Sequence, residues 1–66
     1  MDNHTYYQLN KGYREPKTAD EYEYIIKKLY RQLKKAYTVN EAKAIIEEIY
    51  KYKNRETEME LKKWQS

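Results

Sequence analysis

The side chains with the clearest chemical potential share one helical spacing. Tyr24, Lys28, Arg31 and Lys35 stand at i, i+4, i+7 and i+11, with Lys27 and Lys34 beside them. On an α-helix these residues face the same way. Cations around an aromatic ring can hold phosphates while the ring stacks on a base. The same set can dock on an acidic protein surface. The third reading is a plain solvated face, with Tyr24 lying along the Lys28 stem. Catalytic chemistry has far less to work with. There is no Cys, and His4 is the only His. No Gly-rich phosphate loop is present. Glu21–Glu23 and Glu47–Glu48 stand on open helix surface, where nothing separates the pKa values of two carboxyls. The expectation is a protein that is not an enzyme and needs no cofactor, no metal and no small-molecule substrate.

A second set is aromatic. Tyr6, Tyr7 and Tyr13 near the start, with Met59, Leu61 and Trp64 near the end, can either complete a small core or form an exposed patch that marks a partner site. The chain has nine Tyr and no Phe. Tyr packs as an apolar body with a wet hydroxyl, which suits the edges of a thin bundle and the centres of protein interfaces alike.

Two similar stretches must position these residues. Thr18-Ala-Asp-Glu-Tyr-Glu-Tyr-Ile-Ile-Lys-Lys-Leu-Tyr30 is matched by Thr38-Val-Asn-Glu-Ala-Lys-Ala-Ile-Ile-Glu-Glu-Ile-Tyr50. Each opens with Thr as N-cap and Glu three residues on, the pattern of a capping box. In the first copy Tyr22, Ile25, Ile26, Leu29, Tyr30, Leu33, Ala36 and Tyr37 form one apolar stripe. In the second, Ala42, Ile45, Ile46, Ile49, Tyr50 and Tyr52 share a side, and the stripe then breaks at Lys53 and Glu56. A link as short as Tyr37–Thr38 favours an antiparallel arrangement. The predicted fold is therefore all-α: an antiparallel helical hairpin over about 19–36 and 39–62. Charge agrees with this orientation, since it brings the acidic start of helix one towards Lys51, Lys53 and Arg55. No Gly or Pro follows Tyr50, so helix two is predicted to run on through Asn54 rather than bend there.

Residues 1–17 form a separate N-terminal segment, before a helical hairpin domain of 18–66. Asn10-Lys11-Gly12 permits a hairpin of His4–Leu9 against Tyr13–Glu15. It equally permits a short helix opening near Thr5, with Gly12 as its left-handed C-cap. The reading preferred here is a short hairpin or irregular segment packed on the helices. Pro16 closes it by disfavouring helix at Glu15.

One local stretch has a likeness. Tyr37-Thr38-Val39-Asn40-Glu41-Ala42 resembles the opening of the helix-turn-helix in excisionase-like and MerR-like DNA-binding domains. That resemblance implies a DNA-binding role and a tight turn about four residues after the Ala. Here Ile45-Ile46-Glu47-Glu48-Ile49 carries straight on instead.

Bulk composition sets the frame. With 66 residues the chain makes one small domain, stapled by no disulfide. Lys plus Arg number 14 against 11 Asp plus Glu, a net charge of +3, milder than a dedicated nucleic-acid binder usually shows. No apolar run suits a signal peptide or a membrane span. The expected location is cytoplasmic, since a Cys-free chain fits a reducing compartment. The expected function is a small protein–protein interaction module: an adaptor, inhibitor or regulatory protein binding another protein or its own copies as a homo-oligomer. The alternative is a nucleic-acid-binding accessory protein using the basic face of helix one.

Overall fold

The computed structural model describes residues 2–65 of the chain. They form three helices, α1 (Asn3–Lys11), α2 (Ala19–Lys34) and α3 (Val39–Gln65), and no strand. The fold is all-α, and α2 and α3 pack as the antiparallel hairpin expected from their short link. Tyr22, near the start of α2, and Tyr52, midway along α3, bring their rings to 6.3 Å.

Both long helices start as their sequences predict, with one difference in detail. Thr18 Oγ1 accepts from the Glu21 N–H at 3.2 Å, and Thr38 Oγ1 accepts from the Glu41 N–H at 3.1 Å. These bonds satisfy donors that a helix start leaves open. In a standard capping box the Glu would reach back to the N-cap N–H. Here each Glu reaches one residue further: Glu21 Oε1 accepts from the Lys17 N–H and Glu41 Oε2 from the Tyr37 N–H. The same reach in both copies fixes the chain as it enters each helix. Thr57, in a third Thr-x-x-Glu, caps nothing, because α3 passes through it without a break. The same continuity excludes the turn that the helix-turn-helix likeness at Tyr37–Ala42 implies.

The N-terminal segment is where the preferred reading fails. Asn3–Lys11 is a helix, not a hairpin or an irregular stretch. It opens before Thr5, because Asp2 Oδ1 accepts from the Thr5 N–H at 2.8 Å and serves as the cap. Gly12 ends it in the left-handed region at φ 73°, as the helical alternative requires. The Tyr13 N–H then bonds the Gln8 carbonyl at 2.9 Å, which completes the cap. The physical reason is local. Asp2 and Gly12 satisfy both helix ends within the segment, whereas strands this short would need a sheet, and the described residues form none.

Packing is thin and has one centre. Leu9, Ile25, Ile26, Leu29 and Ile49 form the core, with Tyr24, Leu33, Ile45 and Tyr52 against it. Leu9 brings α1 onto this cluster. The crossing from α1 to α2 is pinned by Glu21, which is buried, takes an ion pair from Arg14 and accepts the Lys17 N–H. Burial pushes the Glu21 carboxyl up, but the Arg14 guanidinium and the Lys17 and Thr18 donors outweigh it and hold it below the usual carboxylate range. Pro16, beside it, is also buried. Arg55 of α3 reaches back to Glu15 at 3.1 Å.

The stripes are narrower than the sequence suggests. Tyr30 is at the edge of the core, and Tyr37 lies in the link, fully in solvent. On α3, Ile49 is 3% exposed while its neighbour Tyr50 is 62% exposed. A single partner helix covers one side of α3, so Ile46 and Tyr50 cannot be buried together with Ile45 and Ile49.

Candidate functional site

The structure assigns the members of the basic face on α2 to different tasks. The Tyr24 hydroxyl donates to Asn10 Oδ1 at 2.6 Å, and its ring meets Tyr6 edge-on with centroids 5.0 Å apart. Lys28 Nζ donates to the Asn10 carbonyl at 2.9 Å. A cation on the last carbonyls of α1 suits the negative end of that helix. Tyr24 and Lys28 thus hold α1 in place. Lys27, Arg31, Lys34 and Lys35 remain exposed. The four residues at i, i+4, i+7 and i+11 are not one open surface, because α1 lies across the first two.

The aromatic set does not assemble either. Tyr7 and Tyr13 meet edge-on at 5.9 Å, and Tyr6 packs on Tyr24. Met59 is half-buried on α3. No backbone approach joins α1 to α3. Trp64 stands 89% exposed at the far end of α3, away from a common cluster. Of the two alternatives, the mini-core with Met59 and Trp64 packed on the N-terminal tyrosines is therefore not seen. A continuous α3, about 40 Å long at 1.5 Å per residue, carries its last turn outward instead of back.

What sequence reasoning missed is a second stripe on α3. Val39, Ile46, Tyr50, Leu61 and Trp64 are all among the exposed large apolar residues. At about 100° per residue they fall within about 40° of one line along the helix. The core-facing line of Ile45, Ile49 and Tyr52 runs roughly a third of a turn away. The signal was present in the doublets Ile45–Ile46 and Ile49–Tyr50. Neighbours in a helix diverge by that same angle, so a doublet marks either a wide buried face or two separate ones.

Between this stripe and α2 runs an open groove lined by Glu23, Ile26, Tyr30, Lys53, Glu56 and Thr57. Lys53 holds its ammonium 5.2 Å from the centre of the Tyr30 ring. Glu56 Oε2 is shielded from solvent and meets no hydrogen-bond donor among the described residues. Burial pushes the Glu56 carboxyl up, and the nearby Glu23 and Glu60 add to it. The charge pairing expected between the start of α2 and the basic residues of α3 is thus replaced here by two carboxylates side by side.

A testable consequence follows for stability. A carboxyl raised in the folded state adds stability below its unfolded pKa and loses it as pH rises through the folded value. Glu56→Gln should therefore raise the thermal midpoint at pH 7, by an amount equivalent to about 0.5–1 kcal/mol. The gain should disappear on acidification, because the native carboxyl takes up its proton above the ordinary carboxylate range. Melts followed by circular dichroism across pH check this. An unchanged or lower midpoint at pH 7 would mean that Glu56 has a stabilising partner.

Among the described residues no group of three or more His, Cys, Asp or Glu is placed to hold a metal ion, and no helix is long and apolar enough to cross a membrane. No protein-family model, curated protein or solved structure matches this chain.

Proposed function

We propose that this protein is a small non-enzymatic protein-interaction module, acting as an adaptor, inhibitor or regulatory protein, and that the exposed stripe of α3 is its working surface. The observation that carries this reading is the stripe itself. Val39, Ile46, Tyr50, Leu61 and Trp64 stay in solvent while the same helix buries Ile49. Scattered apolar residues on a surface need no explanation, but an aligned series along one helix is a recurrent mode of recognition. Tyr and Trp are the side chains most often found at the energetic centre of interfaces. Nucleic-acid binding has less support, because Tyr24, the stacking residue of that reading, and Lys28 are engaged by Asn10 of α1. A cytoplasmic setting is in keeping with the Cys-free composition.

Photo-crosslinking separates the two readings. A benzophenone side chain replaces Tyr50 in one variant and Arg31 in another, and both are irradiated with cell extract. Protein adducts from position 50 are expected. Adducts to nucleic acid from position 31, with none to protein from position 50, would overturn the proposal.

A further inference from the structure

We infer that the partner of the α3 stripe is a second copy of this chain, docked antiparallel along α3 with Thr57 at the two-fold axis. This rests on the reading of α3 as an interaction surface and specifies what occupies it.

In an antiparallel pair of identical helices, residues equally far on either side of the axis face each other. With Thr57 on the axis, Tyr50 faces the partner's Trp64, and Trp64 faces the partner's Tyr50. Thr57 meets the partner's Thr57. Ile46 lies one turn beyond Tyr50 and borders the same indole. Lys53 falls beside the partner's Glu60 and Leu61. Ile46, Tyr50 and Trp64 then meet apolar neighbours, and Leu61 packs on the aliphatic stem of the partner's Lys53.

Charge selects the antiparallel orientation. Lys53 and Glu60 lie on the same flank of the stripe, on the side towards α2. An antiparallel pair sets each Lys53 against a Glu60 of the other copy, and does so twice. A parallel pair would put the two Lys53–Glu60 flanks on opposite sides of the contact, so this pairing would be lost. The groove beside the stripe strengthens the match. Glu60 stands on this flank beside Glu56 and Glu23, and the Lys53 ammonium is already held at the groove edge by Tyr30.

Size is consistent with a weak dimer. Tyr50, Leu61 and Trp64 from two copies, with Ile46 at the margin, remove on the order of 1,000 Å² from water. That is near the lower limit for a specific interface, so the dimer should be weak and dissociate on dilution. The end of α3 adds a further reason. Glu23 and Thr57 line the same groove, and α2 begins only at Ala19. Little of α2 therefore remains to support the turn that carries Leu61 and Trp64. A free helix end of that length gains its order from packing rather than from propensity.

Sedimentation equilibrium over a concentration series is the test. The expected result is a reversible shift towards twice the 8.2 kDa chain mass, with Trp64 fluorescence moving to the blue as the dimer forms. Lys53→Glu and Glu60→Lys should each weaken the dimer about tenfold, and the double swap should restore it. Glu60→Lys leaves the Lys53–Tyr30 contact intact, so a weaker dimer in that variant does not come from losing this contact. Circular dichroism of each variant shows that the monomer fold is kept. If the swaps leave the dimer unchanged, the antiparallel register is overturned. If the chain stays monomeric while position 50 crosslinks to a different protein, the second copy is overturned and the interaction reading stands. A monomer with no protein adduct at position 50 removes both.

Discussion

Ile49→Ala is expected to leave most of the protein unfolded at 25 °C, whereas Tyr50→Ala, one residue on, should keep the fold. Ile49 is the one buried residue that α3 gives to the only hydrophobic cluster found among the described residues, and that cluster draws on all three helices. Removing three of its carbons forfeits their transfer free energy and leaves a cavity, at a cost of about 2–5 kcal/mol. A domain of this size and without a staple has a total stability of about 3–5 kcal/mol. The loss therefore takes most of what there is. Tyr50, being largely in solvent, should change stability by no more than about 0.5 kcal/mol, while weakening whatever the α3 stripe binds. Urea titration by circular dichroism, at protein concentrations too low for self-association, checks both. Equal midpoints for the two variants would mean that Ile49 is not the centre of the core.

Glu21→Gln carries the second large effect, and it has a pH signature. Glu21 is buried, joins Arg14, and anchors the backbone N–H of Lys17. The neutral amide keeps the shape but loses charge-assisted bonds, at a cost of about 1.5–3 kcal/mol near neutral pH. The sign of the pH dependence follows from the direction of the shift. A carboxyl held low in the folded state stabilises above its unfolded pKa, and that stability is lost as pH falls through the folded value. The native protein should therefore weaken steeply on acidification below the ordinary carboxylate range, and the Gln variant should show a flatter acid limb. Parallel acid limbs in the two proteins would show that Glu21 is not what the acid transition reads. The contrast with Glu56 is useful. The two carboxyls shift in opposite directions, so Glu56→Gln should help at neutral pH where Glu21→Gln harms.

Much of the fold was legible before any coordinates. Thr18 and Thr38 announced the starts of α2 and α3 because N-caps act within a few residues, and local chemistry is what a sequence states most directly. The short link dictated an antiparallel hairpin for the same reason. Gly12 was recognised as a left-handed residue, but that conformation serves both a hairpin turn and a helix end. The choice between them fell to Asp2, whose bond to Thr5 was not part of the sequence reading.

The candidate sites were harder to read, for a reason visible in particular residues. Tyr24 and Lys28 form a basic, aromatic face on α2 considered alone. They became docking groups because α1 folds across them, and Asn10 is 14 and 18 residues away in sequence. Trp64 was paired with the N-terminal tyrosines by composition, yet α3 stays continuous and carries it away from them.

What the sequence determined by itself is therefore the set of helices, their caps and their relative direction, all matters of spacing and short-range hydrogen bonding. What only the tertiary structure decided is which side chains remain available. Ile46, Tyr50 and Trp64 are as apolar as the residues that form the core. They are left in water because α2 can cover only one line of α3, and α1 rests on α2 instead of closing the other side. Availability is a property of what packs against what, and a helical repeat read in one dimension does not contain it.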